Sequence, residues 1–309
     1  MTKPAVLLLA HGSPDKVEDI PCFLYAVTGG RELSGAVVKE VQHRYGLIGR
    51  SPLREITMKQ AERLQRETDL PVYVGMRNWE PYIRDVVPQM AAEGIERAVV
   101  ICLAPQNSRT SVGLYRKALL GDSGQAPFAV DFVESWHDEP ALIDAFAERL
   151  CAAYPKACAE AGAKLPVIFT AHSVPTRTVA AGDPYEFQAR HTAELVAARV
   201  AELQGADVRF AFQSQGMSGG QWLGPTVEET IQSLTEAGHS GVFLQPIGFL
   251  CDHVEILYDI DIAFRDFALQ RGLRLWRAES LNDSPLLARA LANVVRRRLE
   301  SAGSAQVAN

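Results

Sequence analysis

Short apolar runs recur along the chain and alternate with longer amphipathic stretches. The apolar runs have the length of strands and predict strands at 5–10, 71–75, 98–104, 128–133, 166–171, 208–213, 241–247 and 273–277. Helical spacing of apolar positions predicts helices at 57–68, 138–154, 183–203, 225–237 and 285–302. Strands that alternate with helices indicate βαβ units and mostly parallel sheets, so we expect an α/β fold.

The same local pattern occurs in both halves of the chain. VLLLAHGSP at 6–14 resembles VIFTAHSVP at 167–175, and in each segment a buried strand ends at a histidine, His11 or His172. Parallel strands deliver side chains to the carboxyl edge of the sheet, where open α/β folds bind their ligands. We therefore expect two related α/β domains with parallel sheets, each directing its histidine toward a cleft between them.

The repeat also predicts where the domains begin and end. The N-terminal domain should comprise 1–145 and the C-terminal domain 146–309, with the Ala- and Lys-rich stretch 155–165 as a candidate connection. The final helix, 285–302, is a candidate to pack back on the N-terminal domain. Residues 11–56 contain no clear second strand, and an insertion of this length is typical of an active-site lid or binding loop.

Composition excludes several classes of protein. The net charge of −6 argues against a nucleic-acid partner, because phosphate binding needs a basic surface. No apolar stretch approaches the roughly 18 residues of a transmembrane helix. The five cysteines include no Cys-x-x-Cys pair, so we expect a cytoplasmic protein without an iron–sulfur cluster.

The strongest candidate site combines His172 with the acidic segment DHVEILYDID at 252–261. Glu255 and Asp259 are four residues apart and would share one face of a helix. An imidazole that faces a carboxylate suits a borderline divalent metal such as Fe²⁺, Co²⁺ or Zn²⁺, or proton transfer between an acid and a base. The alternative interpretation is that the acids only compensate the dipole at a helix N-terminus.

Several motifs resemble the ferrochelatase family, in order and over nearly the whole chain. They are SPL (51–53), VGMRNWEPYI (74–83), VESWHDEP (133–140), AHSVP (171–175), QSQG (213–216), WLGPTVEE (222–229) and GFLCDHVEILYDID (248–261). The resemblance implies two Rossmann-like, chelatase-type domains that insert Fe²⁺ into a porphyrin in haem biosynthesis. VESWHDEP is most similar to the coproporphyrin-type bacterial enzymes, so coproporphyrin III is the favoured substrate and protoporphyrin IX the next.

The resemblance also implies site residues. The catalytic and metal-binding histidine and glutamate of the family match His172 and Glu255, and Asp259 continues the acidic ridge as a further candidate metal ligand. The positions that match the family's porphyrin contacts are Arg44, Tyr45, Ser51 and Tyr115.

The chain departs from the coproporphyrin-type pattern at three places. His11 stands where those members usually have a tyrosine facing the metal, so we expect His11 to contact the porphyrin and to be an axial ligand of product haem. Only Arg31 remains near the position of an arginine pair that binds a propionate. Ala263 replaces the next glutamate of the acidic ridge, which weakens the expectation of a metal relay.

The resulting hypothesis is a lyase with Fe²⁺ and porphyrin as substrates, haem as product and no required cofactor. We expect a monomer, and a transient contact with a membrane or a partner enzyme stays open. Two alternatives remain: a haem- or porphyrin-binding carrier without turnover, and a cobalt or nickel chelatase of the sirohydrochlorin type. A carrier needs no acid opposite its ligand, so the pairing of His172 with Glu255 favours the enzyme.

Overall fold

The computed structural model describes residues 3–216 and 219–307, and they form two compact units. The division follows packing rather than chain order, because a short segment of the N-terminal half lies in the second unit and the C-terminal end lies in the first. The first unit comprises Met1–Pro105, Ser111–Trp136 and Asn282–Asn309, and the second comprises Gln106–Thr110 and His137–Leu281.

A parallel four-stranded sheet with the order β2-β1-β3-β4 forms the centre of the first unit. Its strands are β1 (Pro4–Ala10), β2 (Val72–Met76), β3 (Arg97–Cys102) and β4 (Ala129–Val133). Leu7, Leu8 and Leu9 are consecutive in β1 and none is exposed, so both faces of the sheet are covered. Burial on both faces explains why β1 reads as a continuous apolar run instead of an alternating one.

The second unit contains a parallel sheet with the equivalent order, β6-β5-β7-β8. Its strands are β5 (Val167–His172), β6 (Val208–Gln213), β7 (Gly241–Pro246) and β8 (Arg274–Arg277). In the register of the ladder, His172 at the end of β5 lies opposite Gln213 at the end of β6. The predicted α/β class with parallel sheets is therefore confirmed, and strands were found in all eight predicted places.

Helices connect the strands of both units. They are α1 (Ile20–Val27), α2 (Gly35–Ile48), α3 (Leu53–Thr68), α4 (Ile83–Ala92), α5 (Val112–Leu120), α6 (Pro140–Ala161), α7 (Thr176–Ala180), α8 (Tyr185–Arg199), α9 (Val227–Glu236), α10 (Val254–Leu257), α11 (Arg265–Leu269) and α12 (Pro285–Val307). Short 3₁₀ turns occupy Val17–Asp19 and Ala201–Leu203, and a π-helix occupies Asp259–Phe264. None of the helices within 3–216 and 219–307 combines the length and apolarity needed to cross a membrane.

The C-terminal helix α12 packs against α3 in the first unit. Gln60 Nε2 donates a hydrogen bond to the carbonyl oxygen of Asn282 at 2.7 Å, just before the helix. Arg63 pairs with Asp283 at 2.8 Å, and Arg296 Nη2 donates to the carbonyl oxygen of Glu67 at 2.7 Å. These contacts attach the last helix to a helix more than two hundred residues earlier in the chain.

Two stretches without a clear pattern in the sequence are largely helical. The insertion at 11–56 contains α1, α2 and the start of α3 instead of an extended loop. The predicted connection at 155–165 is helical as far as Ala161, because α6 continues through Pro155 and ends only at Gly162, whose φ of 68° is left-handed. Proline prefers the first turn of a helix, but burial of the long apolar face of α6 stabilises the helix enough for it to continue through Pro155.

Candidate functional site

His172 is the last residue of β5, and the backbone that follows β7 passes close against it. A Cβ added to Gly248 would lie 2.9 Å from Cα of Ala171 and 3.3 Å from the amide nitrogen of His172. Glycine is therefore needed at this position for the chain after β7 to approach the strand end. The approach brings the segment 252–261 beside the imidazole.

The contacts of His172 determine which ring nitrogen carries its proton. Nδ1 lies within hydrogen-bond distance of the carbonyl oxygen of Ser173, and a carbonyl can only accept. Nδ1 is therefore the protonated nitrogen of the neutral ring, and the lone pair is on Nε2. The Tyr185 hydroxyl donates to the carbonyl oxygen of His172 at 2.9 Å and fixes the backbone of the same residue.

Nε2 of His172 faces the carboxylate of Glu255 at 3.5 Å. The two side chains are 33% and 35% exposed, so the pair is open to solvent on one side. Burial alone would lower the pKa of His172. The charge and hydrogen bond of Glu255, the Ser173 carbonyl and the charge of Asp259 together outweigh burial and raise the pKa above the ordinary 6.5. The imidazole is thus adapted to accept and hold a proton.

The backbone around Glu255 is held from both sides. The amide nitrogen of Glu255 donates to Nδ1 of His253 at 3.0 Å, which caps α10, and Gln213 Nε2 donates to the carbonyl oxygen of Glu255 at 3.0 Å. Burial lowers the pKa of His253, and the positive charge of His172 acts in the same direction although Glu255 and Asp252 oppose it. A neutral His253 retains the lone pair on Nδ1 that accepts the amide hydrogen.

The α-helix that carries Glu255 ends at Leu257, and a π-helix occupies Asp259–Phe264, where the amide of Ala263 bonds to the carbonyl of Tyr258 five residues back. The charges of Glu255 and Asp259 both raise the pKa of His172. Asp259 also accepts a hydrogen bond from the Ser214 hydroxyl at 2.5 Å. Ser214 follows β6 with a left-handed φ of 58°.

The donor set of this site leaves coordination positions for other ligands. Within residues 3–216 and 219–307, no group of three or more His, Cys, Asp or Glu side chains is arranged to hold a metal ion. His172 and Glu255 offer one nitrogen and carboxylate oxygens, a set that suits borderline divalent metals. A pair of protein ligands suits an ion in transit better than a closed structural site, which takes four.

His11 has the equivalent position in the first unit. It follows the last residue of β1, its ring is exposed, and Nδ1 lies 3.0 Å from the carbonyl oxygen of Gly12. The neutral ring therefore carries its lone pair on Nε2, as His172 does. Phe23 meets the imidazole edge-on at 5.9 Å between ring centroids, and Trp79 meets Phe23 at 6.3 Å.

The turn after His11 is pressed against the segment that follows β2. Gly12 has a φ of 86°, and a Cβ added there would lie 2.8 Å from the amide nitrogen of Trp79. Both the conformation and the space require glycine. Asn78 donates its amide hydrogen to the carbonyl oxygen of His11 at 3.0 Å, which fixes the two segments together.

Three of the residues predicted to contact porphyrin differ in accessibility. Tyr45 is buried on α2, and its hydroxyl lies 3.0 Å from the Ser13 hydroxyl just after His11. Arg44, beside it, pairs with Glu40 at 2.9 Å and is 40% exposed. Ser51 is buried and accepts the amide hydrogen of Leu53 at 3.5 Å where α3 begins. The structure thus brings Tyr45 to the His11 turn through Ser13.

The remaining two predicted contacts lie elsewhere in the first unit. Tyr115 is 6% exposed on α5, and the Arg77 guanidinium lies 5.6 Å from the centroid of its ring. Arg31 is exposed between α1 and α2, and its carbonyl oxygen accepts a hydrogen bond from the Thr28 hydroxyl. Arg31 thus contributes its backbone to the turn after α1.

The structure adds residues that reasoning from the sequence did not assign to the site. Phe23 and Arg77 are in the neighbourhoods of His11 and Tyr115, and Tyr185, Gln213 and Ser214 are in that of His172. Gln213 and Ser214 could have been found from topology, because they end the strand beside His172 in a parallel sheet. Phe23 carries no comparable signal, since it lies in a stretch without a clear strand or helix pattern.

Comparisons with known proteins agree over nearly the whole chain. The family model described as Ferrochelatase matches residues 3–299. A ferrochelatase of Acidobacterium capsulatum is 54% identical over 313 residues, which cover 96% of this chain and 95% of that protein. A coproporphyrin III ferrochelatase of a Geobacillus species is 34% identical over 308 residues, which cover 96% and 98%.

Solved structures share the fold at low sequence identity. SirB from Bacillus subtilis with Fe³⁺ has a TM-score of 0.60 and 14% identity, with 96% of each chain covered. A sirohydrochlorin chelatase of Bacillus subtilis subspecies spizizenii in complex with cobalt has a TM-score of 0.56 and 14% identity, with 97% of this chain and 96% of that chain covered. At this identity the similarity extends to the fold alone.

Proposed function

Because the chain belongs to the ferrochelatase family, we propose that it inserts Fe²⁺ into coproporphyrin III, with protoporphyrin IX as the next candidate. The similarity to coproporphyrin III ferrochelatases supports the first substrate, although relatives named only ferrochelatase match as well. The reaction belongs to the lyases. It needs no resident cofactor, because iron keeps its oxidation state while two pyrrole protons leave the ring.

The observation that carries this proposal is the 3.5 Å approach of His172 Nε2 to the Glu255 carboxylate at the end of β5. Metal insertion requires a base for each pyrrole N–H and a place for Fe²⁺ to shed its water ligands. The Nε2 lone pair of His172 accepts a pyrrole proton, and the negative charge of Glu255 stabilises the resulting imidazolium. The proton then passes to Glu255 or to solvent on the exposed side of the pair.

Carboxylates of the acidic segment are proposed to receive the iron. Glu255 and His172 supply the oxygen and nitrogen donors, and Asp259 is a further candidate that is held by Ser214. Fe²⁺ accepts mixed imidazole and carboxylate ligation. Distortion of the ring by apolar contacts would expose the pyrrole lone pairs to the metal, so that binding energy lowers the barrier.

The first unit is proposed to bind the porphyrin and the product. His11 is exposed with its lone pair on Nε2, which suits an axial ligand of haem iron. Arg44 is 40% exposed, and its pair with Glu40 on the same helix is a contact of small net energy, so the guanidinium can also bind a propionate. Arg31 is exposed and is the second proposed propionate contact.

The buried candidates can make only small contacts. Tyr45, Ser51 and Tyr115 are 3%, 5% and 6% exposed. We therefore propose that they contact the porphyrin through a ring edge or a hydroxyl group.

A matrix of metals and tetrapyrroles tests the proposal. Purified protein is assayed with Fe²⁺, Co²⁺ and Zn²⁺ against coproporphyrin III, protoporphyrin IX and sirohydrochlorin. We expect the highest kcat/KM for Fe²⁺ with coproporphyrin III. Higher activity with protoporphyrin IX would overturn the substrate assignment. Turnover of sirohydrochlorin alone would favour the chelatase alternative, and tight haem binding without turnover would favour the carrier.

A further inference from the structure

The segment that carries Glu255 cannot maintain its own shape. It contains four carboxylates within ten residues, Asp252, Glu255, Asp259 and Asp261, which repel one another. Its α-helix has only four residues and continues as a π-helix, and helices this short are unstable in isolation. The position of Glu255 therefore depends on contacts from outside the segment.

Arg277, the last residue of β8, makes these contacts at both ends of the segment. Its Nε donates to Asp261 Oδ1 and its Nη2 to Asp261 Oδ2, both at 2.7 Å, which is a bidentate pair. Nη2 also lies 3.4 Å from Asp252 Oδ1. Glu255 therefore lies between Asp252 and Asp261, the two residues through which Arg277 attaches the segment to β8.

The contacts of Arg277 with Asp252 and Asp261 are shielded from water and supported by neighbouring hydrogen bonds. The side chains of Arg277, Asp252 and Asp261 are 13%, 21% and 23% exposed, so these charges are largely removed from water. The Ser280 hydroxyl donates to Asp252 at 2.7 Å, and Arg277 Nη1 donates to the carbonyl oxygen of Ala278 at 3.0 Å. Arg265 reaches Asp261 only at 3.8 Å and is half exposed, so it cannot replace Arg277.

We infer that Arg277 is a positioning residue for metal insertion, which places Glu255 opposite His172 by holding Asp252 and Asp261. The guanidinium binds the carboxylates of Asp252 and Asp261. Asp259 is bound to Ser214, and Glu255 is left directed at the imidazole. The inference rests on the proposed function of the His172–Glu255 pair and assigns no contact with substrate to Arg277.

The first experiment compares substitutions at two arginines of the same strand. Arg277→Gln removes the charge, Arg277→Lys keeps the charge without the planar fork, and Arg274→Gln is the control on the exposed part of β8. We expect Arg277→Gln to lower kcat about 10- to 100-fold, the range for a small displacement of a catalytic group. The kcat of Arg277→Lys should lie between those of wild type and Arg277→Gln. KM for the porphyrin should change less than about twofold in both variants, because ring binding is not affected.

The second experiment separates positioning from loss of stability. Arg277→Gln is combined with Glu255→Gln, and kcat is measured for both single variants and the double variant. If Arg277 acts through Glu255, its substitution should cost less than about threefold once Glu255 is gone. If it only stabilises the unit, the two losses should multiply, which would overturn the inference. In case Arg277→Gln does not fold, Asp261→Asn is combined with Glu255→Gln instead. This pair of substitutions tests the Arg277–Asp261 contact without changing Arg277.

The outcomes also distinguish the inference from its premise. A wild-type protein that inserts no metal would refute the proposed function itself. An active wild type with full kcat in Arg277→Gln would refute the role of Arg277 and leave the proposed function intact. A loss of kcat equal in Arg277→Gln and Arg274→Gln would also refute it, since the effect would then belong to the strand and not to the contacts of Arg277 with Asp252 and Asp261.

Discussion

His11 and His172 have the same backbone setting in two sheets with equivalent strand order. Each lies at the carboxyl end of the strand that occupies the second place in its sheet, β1 or β5. Each directs Nδ1 at the carbonyl oxygen of the next residue and so carries its lone pair on Nε2. The internal repeat therefore extends to the tautomer of the functional side chain.

The two sites differ in what the neighbouring segments contribute. In the second unit, the chain after β7 brings Glu255 to 3.5 Å from the imidazole. The chain after the equivalent strand β3 reads LAPQNSRT at 103–110, of which 106–110 belongs to the second unit, and contains no acidic residue. In the first unit, Phe23 packs against His11. A repeated strand end supplies the imidazole, and the connecting segments give each imidazole different neighbours.

Replacing each histidine by alanine should give the largest difference in kcat between the two sites. We expect His172→Ala to lower kcat by about 10³-fold, since it removes both a base and a metal ligand. His11→Ala should retain most of the insertion rate, because iron meets an axial ligand only after it has entered the ring. His239→Ala, another part-exposed histidine of the second unit, is the control. More than a tenth of wild-type turnover in a folded His172→Ala protein would contradict the assignment.

Glu255→Gln tests whether the carboxylate is what distinguishes the second site. The substitution keeps the size of the side chain but removes its charge and its capacity to accept a proton. We expect kcat to fall at least about 100-fold, with Glu236→Gln on the exposed end of α9 unchanged. If only KM for the metal rises, Glu255 binds iron without taking part in proton transfer.

The arrangement of strands and the two histidines could be predicted because they depend on short-range patterns. Continuous apolar runs mark strands that are buried on both faces, and a histidine directly after such a run must lie at the carboxyl edge of a parallel sheet. Glu255 could be paired with His172 because a segment that follows a neighbouring strand of the same sheet ends at the same edge.

Other features depend on packing that no local pattern reports. The sequence does not show that α6 passes through Pro155, because the stability of that helix comes from its buried face. It also does not show the π-helix that begins at Asp259. Arg277 is separated from Asp261 by 16 residues, and their bidentate pair forms only when β8 joins the sheet.

The spectrum of the haem complex tests the proposed role of the first site. If His11 ligates product iron, the complex should show a nitrogen-ligated Soret and visible spectrum that changes in His11→Ala. Haem should dissociate about tenfold faster from the variant, since the lost bond contributes to product binding and not to insertion. His43→Ala, on α2 of the same unit, is the control. Identical spectra of wild type and His11→Ala would contradict axial ligation by His11.

The smallest expected effect is the pH dependence of stability that the His172–Glu255 pair confers. The folded-state pKa of His172 lies above 6.5, so the pair contributes stability below that value and loses it as pH rises through the folded pKa. Wild type should therefore exceed Glu255→Gln in free energy of unfolding by more at about pH 5.5 than at about pH 9. Because both side chains are a third exposed, we expect the difference to stay below about 1 kcal/mol. Urea denaturation at both pH values measures it. The same comparison in a His172→Ala background should show a smaller pH dependence, because the effect of Glu255 on the pKa of His253 remains while its effect on His172 is lost. An undiminished difference there would assign the effect to a group other than His172.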